Sequence, residues 1–371
     1  MKKNEIFRAY GTDYKNMTKR LLEAADLEGA VREKCGDGAD RARIGIKPNL
    51  VGPTPASYGA TTHPEVVSGI IAYLKERGFS NLFILEGSWI GGRTEEAFDV
   101  CGYNTLSEAY GVPLVDTQKD ESVECDCAGM EIRICKSALE ADFLINVPVL
   151  KGHGQTRITC ALKNMKGLIP NSEKRRFHAK GLHQPIAHLN SFLKQDFIVI
   201  DHISGDPESE DGGHPLVKNC VMAARDAVLT DAYVAGLLGY QVSDVPYIPL
   251  SAALGVGSDD PSALRLVTTE GIPDEEIPRT FRLTELSLAV EQVESCSACY
   301  AMLTEALDRL QQEGLLEHLK EKICIGQGYR SKTGRLGIGN CTREFDWSVP
   351  GCPPSAEEIY HSLKEYIKQQ S

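Results

Sequence analysis

Arg43-Ile-Gly-Ile-Lys47 is a short apolar run that stops at the loop Pro48-Asn49-Leu50. Pro64 then opens a helical pattern from Glu65 to Arg77, apolar at Val66, Val67, Ile70, Ile71 and Leu74 and stopped by Gly78. Leu82-Phe-Ile-Leu85 reads as a buried strand ending at Glu86, and the glycine loop from Gly87 to Arg93 leads into a helix near Thr94. This alternation constrains the fold more than any other feature. Strand, loop, helix and strand in that order make right-handed βαβ units, hence an α/β fold with a mostly parallel sheet and helices on both faces. Ala141 to Asn146 and Phe197 to Asp201 supply further strands, and Pro185 to Leu193 and Ala227 to Leu238 further helices. Ligands of such sheets sit beyond the carboxyl ends of the strands, where Lys47, Asn49, Glu86 and Gly87 fall.

The last quarter of the chain obeys a different logic. It carries Cys296-Ser-Ala-Cys299, then Cys324, then Gly-Ile-Gly-Asn-Cys341 and finally Pro350-Gly-Cys352-Pro-Pro, five of the twelve cysteines. Thiolates so close in sequence bind metal, pair or react. A structural zinc site brings a second tight pair, and none follows here. Two solitary cysteines in Gly and Pro loops favour an iron–sulfur cluster over zinc and over free or redox-paired thiols, and a Cys-Pro step also closes the bacterial ferredoxin run. The expected ligands of one 4Fe-4S centre are Cys296, Cys299, Cys341 and Cys352. Cys324, in the apolar run Lys-Ile-Cys-Ile-Gly, reads as a buried structural thiol. Cys125, Cys127 and Cys135 flank an expected hairpin, where a second metal site competes with ordinary buried thiols. Pro-Gly-Cys-Pro-Pro resembles the last cluster-ligating loop of the small subunit of nickel–iron hydrogenases and of the related quinone-site subunit of respiratory complex I. Over five residues, that likeness implies ligation by Cys352 only.

An amphipathic helix is expected from Tyr300 to Leu319, and a final one from Ser355, with Glu358 completing a capping box. No internal repeat or low-complexity segment stands out. The expected domains are residues 1–270, an α/β domain, and 271–371, a cluster-binding region, joined by the charged, proline-bearing linker Glu270 to Pro278. Hydrophobic residues make up 42% of the chain and charged ones 25%, an ordinary globular balance. No apolar run approaches the roughly 20 residues of a membrane helix. Twelve cysteines behind an N-terminus with no export signal imply a reducing, cytoplasmic setting, and an exposed cluster would suit an anaerobic one. The net charge of -12 argues against nucleic acid as a partner.

Against that acidic background, residues 151–183 hold eight Lys and Arg and a single acid, Glu173, a local charge of +7. His153, His178 and His183 lie in the same stretch, among loop-forming Gly, Asn and Pro. Charge concentrated against the global balance points to a small anionic ligand. Lys163 and Lys166, three residues apart, would share one helical face and offer two donors to it. His153 is the side chain that titrates nearest neutrality and so a candidate acid or base.

Lys47-Pro-Asn49-Leu-Val, Asn146-Val-Pro-Val-Leu-Lys151-Gly-His153 and Leu162-Lys163-Asn164-Met-Lys166-Gly167, followed by Asp201 and Asp226-Ala-Val-Leu-Thr-Asp231, resemble domain-of-unknown-function family 362 from about Ile44 to Gly257. The resemblance implies the α/β fold, the location of the site and nearby iron–sulfur cysteines; it supplies no reaction. Asp206 to His214 departs from the Gly-Pro-type loop that the family pattern implies after the Asp201 strand. The expectation is an iron–sulfur oxidoreductase served by a redox partner such as a ferredoxin. Lys47, Asn49, Lys151, Asn164 and Lys166 would hold the anion or cofactor, and His153, Lys163 and Glu86 would manage the chemistry. The competing readings are an electron carrier without its own substrate and a redox-neutral lyase that uses the cluster as Lewis acid.

Overall fold

The computed structural model describes residues 1–274, 276–277 and 282–370, so the expected linker from Glu270 to Pro278 lies partly outside the described residues. The chain divides into two compact units, Met1–Pro278 and Arg279–Ser371.

The first unit is built on an eight-stranded sheet. Its strands are β1 (Glu5–Tyr10), β2 (Ile44–Pro48), β3 (Leu82–Glu86), β4 (Leu114–Asp116), β7 (Phe143–Val147), β10 (Phe197–His202), β11 (Cys220–Ala224) and β12 (Arg265–Glu270). Two hairpins stand outside it, β5 (Ser122–Cys127) with β6 (Met130–Cys135), and β8 (Lys151–His153) with β9 (Arg157–Thr159). The order is β12-β1-β11-β10-β7-β2-β3-β4, parallel throughout except where β11 runs against both β1 and β10. Every residue of β2, β3, β7, β10 and β11 is buried, as a strand covered on both faces requires. Successive side chains divide between two cores. Ile44, Ile46, Ile145 and Val199 face the side of the helices Tyr14–Ala24 and Pro64–Glu76. Leu85, Leu144, Ile198 and Ile200 face the side of the β5–β6 hairpin and the helix His183–Phe192.

The helix Pro64–Glu76 buries Val66, Val67, Ile70, Ile71 and Leu74, the stripe expected of it. Gly69 marks where it crosses its neighbour, for a Cβ there would stand 2.6 Å from the Lys15 carbonyl oxygen. Parallel pairing places Lys47 opposite Asn146. Ile46 lies opposite Ile84, so Lys47, Glu86 and Asn146 all end their strands at one edge of the sheet.

The second unit is a four-stranded parallel sheet, β13 (Val290–Gln292), β14 (Ile323–Ile325), β15 (Leu336–Ile338) and β16 (Trp347–Val349), in that spatial order. Leu303, Leu307 and Leu310 of the helix Ser297–Gln312 and Ile359, Leu363 and Ile367 of the helix Ala356–Gln370 form its core with Ile323, Ile325 and Ile338. Each of these side chains contributes roughly 1.5–3 kcal/mol on burial. The first helix stops at Gln312, short of the expected Leu319, because Gly314 takes a left-handed φ of 69°. The last helix starts as expected: Ser355 N donates to Glu358 Oε2 at 2.9 Å, and Glu358 N donates back to Ser355 Oγ at 3.2 Å.

Candidate functional site

In the second unit, parallel strands bring their carboxyl ends, and the loops that follow, to one side. β13 leads to Cys296, β15 to Cys341 and β16 to Cys352, while Cys299 sits in the first turn of the helix that Cys296 caps. The loops are laced to one another. Asn340 N donates to Gly351 O at 2.9 Å, and its side-chain oxygen accepts from Gly351 N at 2.9 Å. Gln327 N donates to Glu294 O at 3.0 Å.

The four thiols lie near enough for their charges to act on one another. Burial pushes Cys299 up to about 12, and Cys296, Cys352 and Cys341 add to the shift. Burial likewise raises Cys296, with Cys341 and Cys352 adding to it. Two donors reach this group: Gln327 Nε2 lies 3.6 Å from Cys296 Sγ, and the Arg330 guanidinium hydrogen-bonds Cys341. Cys324 stands apart in β14, its thiol turned toward Tyr329 and Glu291. Among the described residues, no three His, Cys, Asp or Glu side chains are arranged to hold a single metal ion.

The turns reveal a repeat that inspection of the sequence passed over. Ile325-Gly-Gln-Gly-Tyr-Arg330 and Ile338-Gly-Asn-Cys-Thr-Arg343 each leave a strand through a glycine at positive φ and close a 3-10 turn. Six residues with three identities carry too little pattern to notice without the geometry. Gly328 occupies the position that Cys341 fills in the other copy.

In the first unit, the lysines expected to bind an anion serve two distinct ends. Lys47, fully buried, donates from Nζ to Glu86 Oε2 at 2.8 Å and to Pro48 O at 2.7 Å. Glu86 also accepts from Leu50 N at 2.8 Å and from Gly87 N at 2.7 Å. Lys151 donates to the carbonyls of Ala60 and Glu210, and burial pushes it down to about 7. Lys174 donates to Gly87 O at 3.0 Å and Ser88 O at 2.8 Å. These three ammonium groups fasten loops.

Lys163 and Lys166 do not. Lys163 Nζ meets Thr159 Oγ1 at 3.3 Å, and Lys166 Nζ lies 3.4 Å from His178 Nε2. Among the described residues, neither meets a carboxylate within ion-pair distance. Burial pushes Lys163 down to about 8, against the pull of Glu210 and Asp211. Burial pushes Lys166 well down, and Lys163 and Lys174 push it further.

The turn that presents them is anchored from below. Asp231 accepts from Ala161 N at 2.7 Å and Leu162 N at 3.2 Å. Asn146 Nδ2 donates to Ala161 O at 2.9 Å, Asn164 Nδ2 to Asn146 Oδ1 at 2.7 Å, and Asn49 Nδ2 to Asn164 Oδ1 at 2.7 Å. Asn49 and Asn164 thus belong to the frame of the site, tying β2 and β7 to the lysine turn.

His153 is locked. Its Nδ1 accepts from Gln155 N at 3.0 Å and Thr156 N at 3.1 Å, so the ring proton is on Nε2, 3.2 Å from Glu210 Oε1. Burial holds it well below the ordinary imidazole value, and Lys163, Lys166, His178 and Lys151 add to the effect. The ring is neutral and its lone pair is occupied. A second histidine, His63, faces a buried carboxylate: its Nδ1 lies 2.9 Å from Asp201 Oδ2. No local pattern announces that pair, since its members stand 138 residues apart.

Cys125, Cys127 and Cys135 lie within the β5–β6 hairpin, each opposite a residue other than cysteine. Asp206, fully buried, folds the divergent loop on itself by accepting from Glu208 N, Ser209 N and His214 N at 2.9–3.0 Å.

A family model described as a domain of unknown function (DUF362) matches residues 44–236. The thylakoid-associated protein sll1697 of Synechocystis sp. is 23% identical over 256 residues, covering 67% of this chain and 78% of that protein. The lactate racemase apoprotein from Thermoanaerobacterium thermosaccharolyticum is 15% identical with a TM-score of 0.36. That match covers 60% of this chain and 54% of the racemase chain, so this chain spans about half the racemase's length. Among the described residues, no helix is long and apolar enough to cross a membrane.

Proposed function

The chain belongs to the DUF362 family, and from that starting point we propose an iron–sulfur oxidoreductase that acts on a small anionic substrate or cofactor. The observation that carries the reading is the convergence of Cys296, Cys299, Cys341 and Cys352, each thiol raising the proton affinity of Cys299 or raised alongside it. Four thiols with no nitrogen or carboxylate among them are a soft donor set, suited to an iron–sulfur cluster or zinc. A cluster interposes iron and sulfide between its ligands and asks for a wider nest than one ion does. Four thiols close enough to shift one another's proton affinity are the donor set such a nest needs. The Arg330 and Gln327 N–H donors are of the kind that neutralise cluster sulfur charge. When bound, such a cluster supplies single electrons.

Lys163 and Lys166 hold the anion, because, exposed Lys180 apart, they are the described lysines of the tract with no carboxylate or carbonyl partner. Lys47 with Glu86, Lys151, Asn49 and Asn164 hold the loops that shape their surroundings. His153, kept neutral, orients Glu210 beside the lysines. A ferredoxin-type protein is the expected electron donor. The test is protein purified without oxygen and examined by electron paramagnetic resonance before and after dithionite. A reduced-cluster signal that appears with dithionite supports the reading. Stoichiometric zinc with no iron overturns it.

A further inference from the structure

Beyond iron and beyond the lysine turn, the first unit contains a second group of reactive side chains. Asp201, at the carboxyl end of β10, is 1% exposed and accepts three N–H groups. They are His63 N at 2.7 Å, His63 Nδ1 at 2.9 Å and Ile203 N at 3.0 Å. A carboxylate only accepts, so the imidazole proton is fixed on Nδ1 and the lone pair of Nε2 is left available. That Nε2 lies 3.5 Å from Ser204 Oγ. The Tyr14 ring packs edge-on against the imidazole, centroids 5.7 Å apart.

Ser204 is loosely held. Among the described residues its hydroxyl otherwise donates only a long 3.4 Å bond to Ala56 O, so its proton can turn toward His63. Gly59, at φ 85°, makes room for this approach, since a Cβ there would stand 2.7 Å from Ser204 O. Among the described residues, the N–H groups of Ser204 and Gly205 donate to no acceptor. Adjacent unengaged amides beside a nucleophile are what an oxyanion needs. The ring of His63 keeps 13% of its surface exposed, so a small ligand can reach it.

We propose that Ser204, His63 and Asp201 form an acyl-transfer site for a small ester or thioester, with Ser204 as nucleophile, His63 as base and Asp201 as the group that orients it. Nucleophile–base contacts are commonly longer without ligand than in the reacting complex. Ser204 Oγ bonds to the acyl carbon and passes its proton to Nε2. The bond to the alcohol or thiol breaks, and the leaving group takes that proton. Water repeats the sequence, releasing the acid and restoring the serine.

The test is reaction of the full chain with diisopropyl fluorophosphate, read by intact mass and by peptide mapping. Here Oγ bonds to phosphorus, fluoride leaves, and the proton passes to Nε2. The expected result is one adduct per chain, on Ser204. It should be absent in Ser204→Ala and slowed at least roughly 100-fold in His63→Gln. Ser204→Ala should keep the melting temperature of the parent, whereas His63→Gln should lower it by removing one of the three donors to buried Asp201, so its labelling rate is read at a temperature where circular dichroism shows both proteins folded. A parent protein that takes no label, a label retained in Ser204→Ala, or an undiminished rate in His63→Gln would overturn the proposal. None of these outcomes depends on iron, so the assignment stands or falls apart from the cluster.

Discussion

At the scale of single residues, the lysine tract separates by what each ammonium donates to. Lys47 and Glu86 are a buried ion pair in which every carboxylate oxygen also takes a backbone N–H. Removing one partner strands a charge. Glu86→Gln should therefore destabilise the fold by about 3–5 kcal/mol in denaturant unfolding, whereas a solvated pair would lose under about 1 kcal/mol. Lys163 predicts the opposite behaviour, small in stability and large in binding. Its ammonium attracts an anion only while protonated, and its value of about 8 sets the limit. Sulfate, measured by calorimetry, should bind below that pH and lose affinity as pH rises through it. Lys163→Ala should weaken sulfate roughly 10–100-fold, the contribution of one charge-assisted hydrogen bond, and should flatten the pH dependence. Unchanged affinity in the variant would remove Lys163 from the anion site. These divisions were invisible in the sequence, where all the lysines look alike. Only the acceptors, supplied by loops far away in the chain, tell a strut from a ligand.

At the scale of elements, the strands that were legible are the ones whose residues are apolar on both faces. Ile44–Pro48, Leu82–Glu86 and Phe143–Val147 lie in the centre of the sheet and announce themselves as apolar runs. β12 does not, because it closes the sheet with polar residues largely exposed. Strands β13 to β16, three residues each, are too short to show any period. The helix Pro64–Glu76 was legible from its stripe, but its crossing at Gly69 was not, since a glycine within a helix has several explanations. Gly69→Val tests that crossing. The added side chain meets the Lys15 backbone and Thr18. The expected loss is about 1–3 kcal/mol, read as a fall in melting temperature, and a neutral outcome would mean the two helices separate freely. Asn340 plays the corresponding part in the second unit, joining the loop of Cys341 to that of Cys352 with two hydrogen bonds.

At the scale of the whole molecule, the α/β class and the edge of the sheet that carries the site follow from patterns spread along the chain. The convergence of four cysteines needs the parallel order of four short strands, which no local pattern reveals. Cys341 and Cys324 are the informative contrast. Both leave or occupy neighbouring strands, yet only Cys341 faces the other thiols and takes the Arg330 hydrogen bond. The decisive measurement is iron and acid-labile sulfide in anaerobically purified protein, compared across the parent, Cys341→Ser and Cys324→Ser. The account predicts about four of each per chain in the parent, little of either in Cys341→Ser, and parental content in Cys324→Ser. Iron that survives loss of Cys341 and vanishes with Cys324, or a parent protein that holds zinc alone, would contradict it.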